Sequence, residues 1–182
     1  MNTPNASHPP DGAPAGGVST FVCSGELLLR LTAPRGEILL QSPRLEACFG
    51  GAEANVAVAL ARFGHRASLL TAVPDHALGA AAIAAFAQHG VDTRHVARRS
   101  GRLGTYYLEA AAGLRAPRVL YDRAGSCFAS CGPDDLDAAA ALEGAHWLHQ
   151  SGITAALGEQ AAALAQASQR VALARGVRLS FD

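Results

Sequence analysis

Two glycines followed within one helical turn by an asparagine, Gly50-Gly51-Ala52-Glu53-Ala54-Asn55, form the sharpest place in this chain where chemistry could be done. Paired glycines let a backbone approach a ligand closely. The helix start that follows offers unpaired N–H groups and a partial positive charge, which suits hydroxyls and anions. Asn55 falls in the first turn of that helix and can present both a donor and an acceptor to whatever rests on the glycines. A tight strand-to-helix turn holding no ligand would use the same letters. The segment is not a dinucleotide fingerprint, because a third glycine is missing and the pair does not directly follow the first strand.

A second cluster gathers all three tyrosines, Tyr106, Tyr107 and Tyr121, with Asp122 and Arg123. In an extended Leu120-Tyr121-Asp122-Arg123 the period of two puts Tyr121 and Arg123 on one face and Asp122 on the other. A guanidinium can hold a carboxylate through two parallel hydrogen bonds, and phenol hydroxyls can fix sugar hydroxyls. A solvated edge strand could also read this way. Glu26 stands as a lone acid in the first apolar run. His146 and His149 alternate around Trp147 with no third ligand at a suitable spacing, so no metal centre is expected. Asp134, Asp135 and Asp137 after Pro133 read as a capped helix start, not a cation loop.

Composition narrows the field further. All 15 basic side chains are arginine and none is lysine, which excludes a P-loop and a Schiff-base enzyme, since both need a lysine amine. The formal net charge of zero gives nucleic acid and membrane surfaces no electrostatic hold. No run of eighteen apolar residues occurs, so no bilayer-spanning helix is expected. Residues 1–19 are rich in Pro, Gly, Asn and Ala and read as a disordered tail, and Asn5-Ala6-Ser7 is taken as a chance acceptor triplet. Cys23, Cys48, Cys127 and Cys131 lack any C-x-x-C pairing, the pattern of free thiols in a cytoplasmic protein.

The elements that must position these residues follow from two alternating periods. Phe21 to Leu31 reads as a strand interrupted at Ser24-Gly25-Glu26, and Gly36 to Leu40 with Arg44 to Phe49 as a small hairpin or pair of edge strands. Helices are expected over Ala52 to Phe63, stopped by Gly64, over Ala77 to His89, closed by Gly90, over Leu136 to Leu142, and over Ala155 to Arg175. Strands are expected at Arg66 to Val73, Val91 to Val96, Gly104 to Ala110, Arg118 to Tyr121, His146 to His149 and Val177 to Phe181, with Ser151-Gly152 a loop. Strands separated by helices predict crossovers and a parallel sheet, and the two hairpins predict an accessory sheet. The text stops at Asp182, where a strand ends and site residues would be expected to gather, which reads as a truncated protein.

Taken together, these residues resemble the ribokinase-like (PfkB) family of carbohydrate kinases from about Phe21 to Asp182. The resemblance rests on Gly25-Glu26, on Gly50-Gly51-Ala52-Glu53-Ala54-Asn55 through Ala61-Arg62-Phe63-Gly64, on Asp75-His76-Ala77-Leu78-Gly79, and on His89-Gly90-Val91-Asp92-Thr93. Within the family, Gly101 to Glu109, Val119 to Ser126 and Leu148 to Thr154 look most like the branch that phosphorylates 2-dehydro-3-deoxygluconate (KDG). Glu53 and Pro74 depart from the broad family pattern and agree with that branch.

The resemblance implies an α/β fold, a ribokinase-like three-layer core with a parallel sheet, incomplete here, and a small β lid at about residues 36–49 and 104–123 inserted in a kinase portion spanning 20–182. It implies transfer of the γ-phosphoryl of ATP, with Mg²⁺, to the 6-hydroxyl of a keto sugar acid. Arg123 would hold the substrate carboxylate beside Tyr106 and Tyr121. Gly50, Gly51 and Asn55 would bind hydroxyls, Glu26 would accept from another, and Ile153 would line the pocket. The family's catalytic base and nucleotide site have no match in these 182 residues, so no catalytic residue is assigned, the base is expected beyond Asp182, and the chain alone is expected not to turn over ATP. Three alternatives follow. They are a non-catalytic sugar-acid-binding or regulatory module, another sugar kinase of the family such as a fructokinase, and a structural partner forming a homo-oligomer through its lid strands.

Overall fold

The computed structural model describes residues 17–182, so most of the expected tail, including Asn5-Ala6-Ser7, lies outside the described residues. Five parallel strands form the main sheet in the order β5-β4-β1-β8-β9: β1 (Thr20–Ser24), β4 (Arg66–Pro74), β5 (Val96–Arg99), β8 (Trp147–Gln150) and β9 (Arg178–Phe181). Alternate residues of one strand serve opposite faces. Val22 of β1 joins Leu70, Leu148, Leu164 and Val177 in one core, while the adjacent Cys23 joins Ala57, Leu69, Val73 and Phe86 in the other. Helices α1 (Ala52–Arg62) and α2 (Ala77–Ala87) cover the second face, and α3 (Ala138–Ala141) and α5 (Glu159–Ala174) the first. Burial on both faces explains why β4 reads as a nearly continuous apolar run.

A second sheet of four strands, in the order β3-β2-β6-β7, is built from β2 (Leu28–Thr32), β3 (Glu46–Gly50), β6 (Gly104–Glu109) and β7 (Arg118–Asp122). The pairs β2–β3 and β6–β7 are antiparallel, and β2–β6 is parallel. The expected α/β architecture with an accessory sheet is therefore present.

Several boundaries differ from expectation. The first apolar run is two strands in two different sheets, because the chain leaves the main sheet at Gly25-Glu26 and re-enters extended structure at Leu28. Gly36 to Leu40 is not a strand. Successive turns close from Glu37 N to the Pro34 carbonyl at 3.0 Å and from Gln41 N to the Ile38 carbonyl at 3.2 Å. Arg115 Nη2 also donates to the Gly36 and Glu37 carbonyls, which uses the loop's polar groups away from any ladder. The strand expected from Val91 begins only at Val96, because the Asp92 carboxylate accepts from Arg94 N at 3.0 Å and sets a turn. The long C-terminal helix is broken. Ser151 caps a short helix α4 (Gly152–Ala156) by accepting from Ile153 N, and Gly158, at φ 143°, separates it from α5.

Candidate functional site

The strand order places a reversal at β1. The chain steps outward from β1 to β4 and β5, then returns to the other side of β1 as β8. Ligands of open parallel sheets gather outside the carboxyl ends of the strands at such a reversal. Glu26 stands two residues past the end of β1, and Ile153 three residues past β8. These two residues, with Gly51, Ala52, Glu53 and Asn55 at the start of α1, form the core side of a cleft of about 180 Å³. Leu28, Tyr106, Val119, Tyr121 and Arg123 form its lid side. Seven of the eight residues expected to bind substrate thus share one cleft; Gly50 is buried at the end of β3 and does not line it.

A larger hollow of about 580 Å³ lies on the far side of α1, between β3 and α2, and shares only Asn55 with the cleft. The smaller cleft is the better candidate because charged, phenolic and amide groups from α1, β6, β7 and the segments that follow β1 and β7 converge there.

The lid side is arranged by register. Tyr106 of β6 faces Tyr121 of β7 directly, their ring centroids 5.7 Å apart. The Arg123 guanidinium lies 5.5 Å from the centroid of the Tyr121 ring. Asp122 points to the opposite face as expected, where both its oxygens accept from Arg102, at 2.9 and 2.7 Å.

Two buried carboxylates organise the rest. Glu26, 4% exposed, accepts through Oε2 from Arg123 Nε at 2.8 Å and from Nη2, and through Oε1 from the Ser126 hydroxyl. Glu53, 2% exposed, accepts through Oε1 from Ser151 Oγ at 2.6 Å, from Ser151 N at 3.2 Å and from Thr154 Oγ1 at 3.3 Å. It ties the glycine bend to the helix that carries Ile153, and its place in the first turn of α1 suits a negative charge. Burial, with the charge of Glu53 beside it, pushes the Cys23 thiol up to about 12.

Glycines make this packing possible. A methyl group on Gly51 would stand 2.5 Å from the Glu26 carbonyl oxygen. The bend is therefore pressed against the chain leaving β1 and is not merely open to a ligand. A methyl on Gly25 would collide with the Glu53 carboxylate, and one on Gly104 with Glu26 Oε1 and Leu28, each at 2.6 Å.

The sequence reading missed Ser126, Gly104 and the ties made by Glu53. The paired letters stand 97 to 101 residues apart, so nothing local signals them. His146 and His149 serve the framework instead: His146 Nδ1 accepts from Thr20 N at 3.0 Å, and His149 Nδ1 is 3.0 Å from Ser180 Oγ.

A family model described as pfkB family carbohydrate kinase matches residues 19–181. A 2-dehydro-3-deoxygalactonokinase of Haloferax volcanii is 35% identical over 162 residues, covering 89% of this chain and 51% of the relative. A 2-dehydro-3-deoxygluconokinase of Thermoproteus tenax is 32% identical over 150 residues, covering 81% and 46%. The crystal structure of 2-dehydro-3-deoxygluconokinase from Thermotoga maritima superposes with a TM-score of 0.87 at 39% identity, covering 90% of this chain and 50% of that one. The chain spans about half the length of the curated relatives it matches.

Proposed function

The chain belongs to the pfkB family of carbohydrate kinases, and from that premise we propose that it carries the acceptor side of a kinase for 2-dehydro-3-deoxy sugar acids, with 2-dehydro-3-deoxygluconate phosphorylated on its 6-hydroxyl. The observation that carries this reading is the convergence of Arg123, Tyr106, Tyr121, Gly51 and Asn55 on one cleft. In this assignment the guanidinium takes the substrate carboxylate, and the amide of Asn55 and the two phenols take hydroxyls. Ile153 supplies an apolar wall against the carbon chain.

The phosphoryl donor assigned is ATP with Mg²⁺. No described residue is assigned to hold that pair, and the absence of lysine from the chain excludes a P-loop. The role assigned to these residues is accordingly to bind and orient the acceptor. Orientation is a large part of such catalysis, because phosphoryl transfer depends on positioning and charge neutralisation more than on covalent chemistry.

Calorimetric titration of the chain with 2-dehydro-3-deoxygluconate and with fructose tests the assignment. The acid is expected to bind at least about tenfold more tightly than the ketose, and Arg123→Ala to erase that preference, as loss of a charged hydrogen bond predicts. Equal affinity for the two ligands, or an acid preference that survives in Arg123→Ala, would refute it.

A further inference from the structure

Glu26 enters the functional reading as an acceptor for a substrate hydroxyl, yet its surroundings fit a different task. Its carboxylate is almost completely buried, which costs several kcal/mol unless donors compensate. Three do: Arg123 Nε and Nη2 on one oxygen and the Ser126 hydroxyl on the other. The free side of Oε1 is crowded by the chain itself, since even a methyl on Gly104 would come within 2.6 Å of it. Little of the carboxylate remains open to a sugar.

Arg123 keeps its third nitrogen. Nη1 makes no hydrogen bond among the described residues, while Arg123 lines the cleft and its side chain is 19% exposed. The guanidinium is therefore fixed along its Nε–Nη2 edge, with donor capacity left over. Ser126 is fixed in turn, because its hydroxyl accepts from Ala129 N at 3.1 Å. The chain of contacts Ala129, Ser126, Glu26, Arg123 ends in the cleft.

We propose that Glu26 is the standing counter-ion of Arg123, a positioning and specificity-determining residue that aims the guanidinium and competes with the ligand's carboxylate for its charge. This inference rests on the sugar-acid reading of the cleft. It makes Glu26 a threshold. An anionic ligand must interact with Arg123 well enough to offset repulsion from a carboxylate already bound there, and a neutral sugar meets no such opposition.

The experiment compares the wild-type chain with Glu26→Gln, which keeps the shape and an acceptor for Arg123 but removes the charge. Binding of 2-dehydro-3-deoxygluconate and of fructose is measured by calorimetry, and hydrogen exchange at Arg123 Nε by ¹⁵N NMR without ligand. Glu26→Gln is expected to tighten the acid by about tenfold, the scale of one partly screened like charge, and to leave fructose unchanged. Slow exchange at Arg123 Nε is expected in the wild-type chain, which keeps the test decisive even if the variant folds poorly. Free exchange there overturns the inference. So does weaker or unchanged acid binding in Glu26→Gln, the pattern of a hydroxyl acceptor or of a purely structural carboxylate, and in that case wild-type binding still upholds the sugar-acid reading. No acid binding by either chain overturns that reading first and this inference with it.

Discussion

The two sheets solve the problem of burial differently. Strand β4 of the main sheet is buried at every position but its first, whereas β7 of the lid is exposed along its whole length. Strand β4 is held by side chains on both faces, so its residues are chosen for volume and few could change role. The lid can place phenols and a guanidinium at regular intervals because no core claims those positions. Its attachment to the core includes the buried ion pair of Arg123 with Glu26, in addition to apolar contacts of Leu29 and Phe49. The cleft lies where the two sheets meet, with Glu26, the start of α1 and Ile153 on its core side and Tyr106, Tyr121 and Arg123 on its lid side.

The heaviest blow to this division is expected from Arg123→Ala. It leaves the Glu26 charge buried and unpaired, for which about 3 kcal/mol of stability is the predicted loss in urea unfolding. A loss under 1 kcal/mol would mean that the pair contributes little to joining the sheets. In the main sheet, Leu148→Ala should cost about 2 to 3 kcal/mol through the cavity left in the core it shares with Val22, Leu164 and Val177. Gly51→Ala, which pushes a methyl against the Glu26 carbonyl, is expected to cost about 1 to 3 kcal/mol and to weaken acid binding as well. Unaltered stability and affinity would show that the bend has slack. On the lid, Leu120→Ser, at a position 55% exposed, should move the unfolding midpoint by no more than about 0.5 kcal/mol.

The gentlest comparison uses thiols. Cys48 of the lid is half-buried, whereas Cys23, Cys127 and Cys131 are buried. Burial pushes the Cys131 thiol up to about 11 and raises Cys127, in line with Cys23. Since the thiolate is the reactive form, a disulfide reagent near neutral pH should label one cysteine per folded chain, and mass spectrometry should find it at Cys48. Labelling of Cys23 at a similar rate would mean that the main sheet opens as readily as the lid.

What could be read from the sequence follows the same division. Periodicity located α1, α2, β4 and the β6–β7 hairpin, because each element's pattern is dictated by its own burial. It also placed Tyr121 and Arg123 on one face and Asp122 on the other. It failed where apolar letters continue through a change of sheet, as between Val22 and Leu31, since Leu27 in the crossing and Leu28 at the start of β2 are both buried. It failed again at Gly36 to Leu40, whose polar groups are satisfied by Arg115 from far along the chain. The cleft's membership was legible through resemblance to the family. Its internal wiring, Glu26 to Ser126 and Glu53 to Ser151, was not, because a carboxylate's partner a hundred residues away leaves no local trace.

The cleft also sits on the line where the chain crosses between the sheets, at Gly25 to Leu27 and again at Gly50 to Ala52. A change in the angle between the sheets would shift Arg123, on the lid side of the cleft, relative to Asn55, on its core side. A molecule bridging those two side chains behaves as a strut near a pivot. It can bias the lid's inclination only by as much as it prefers one inclination over another, so in the proposed reading the length of the bound acid would set the posture of the flap.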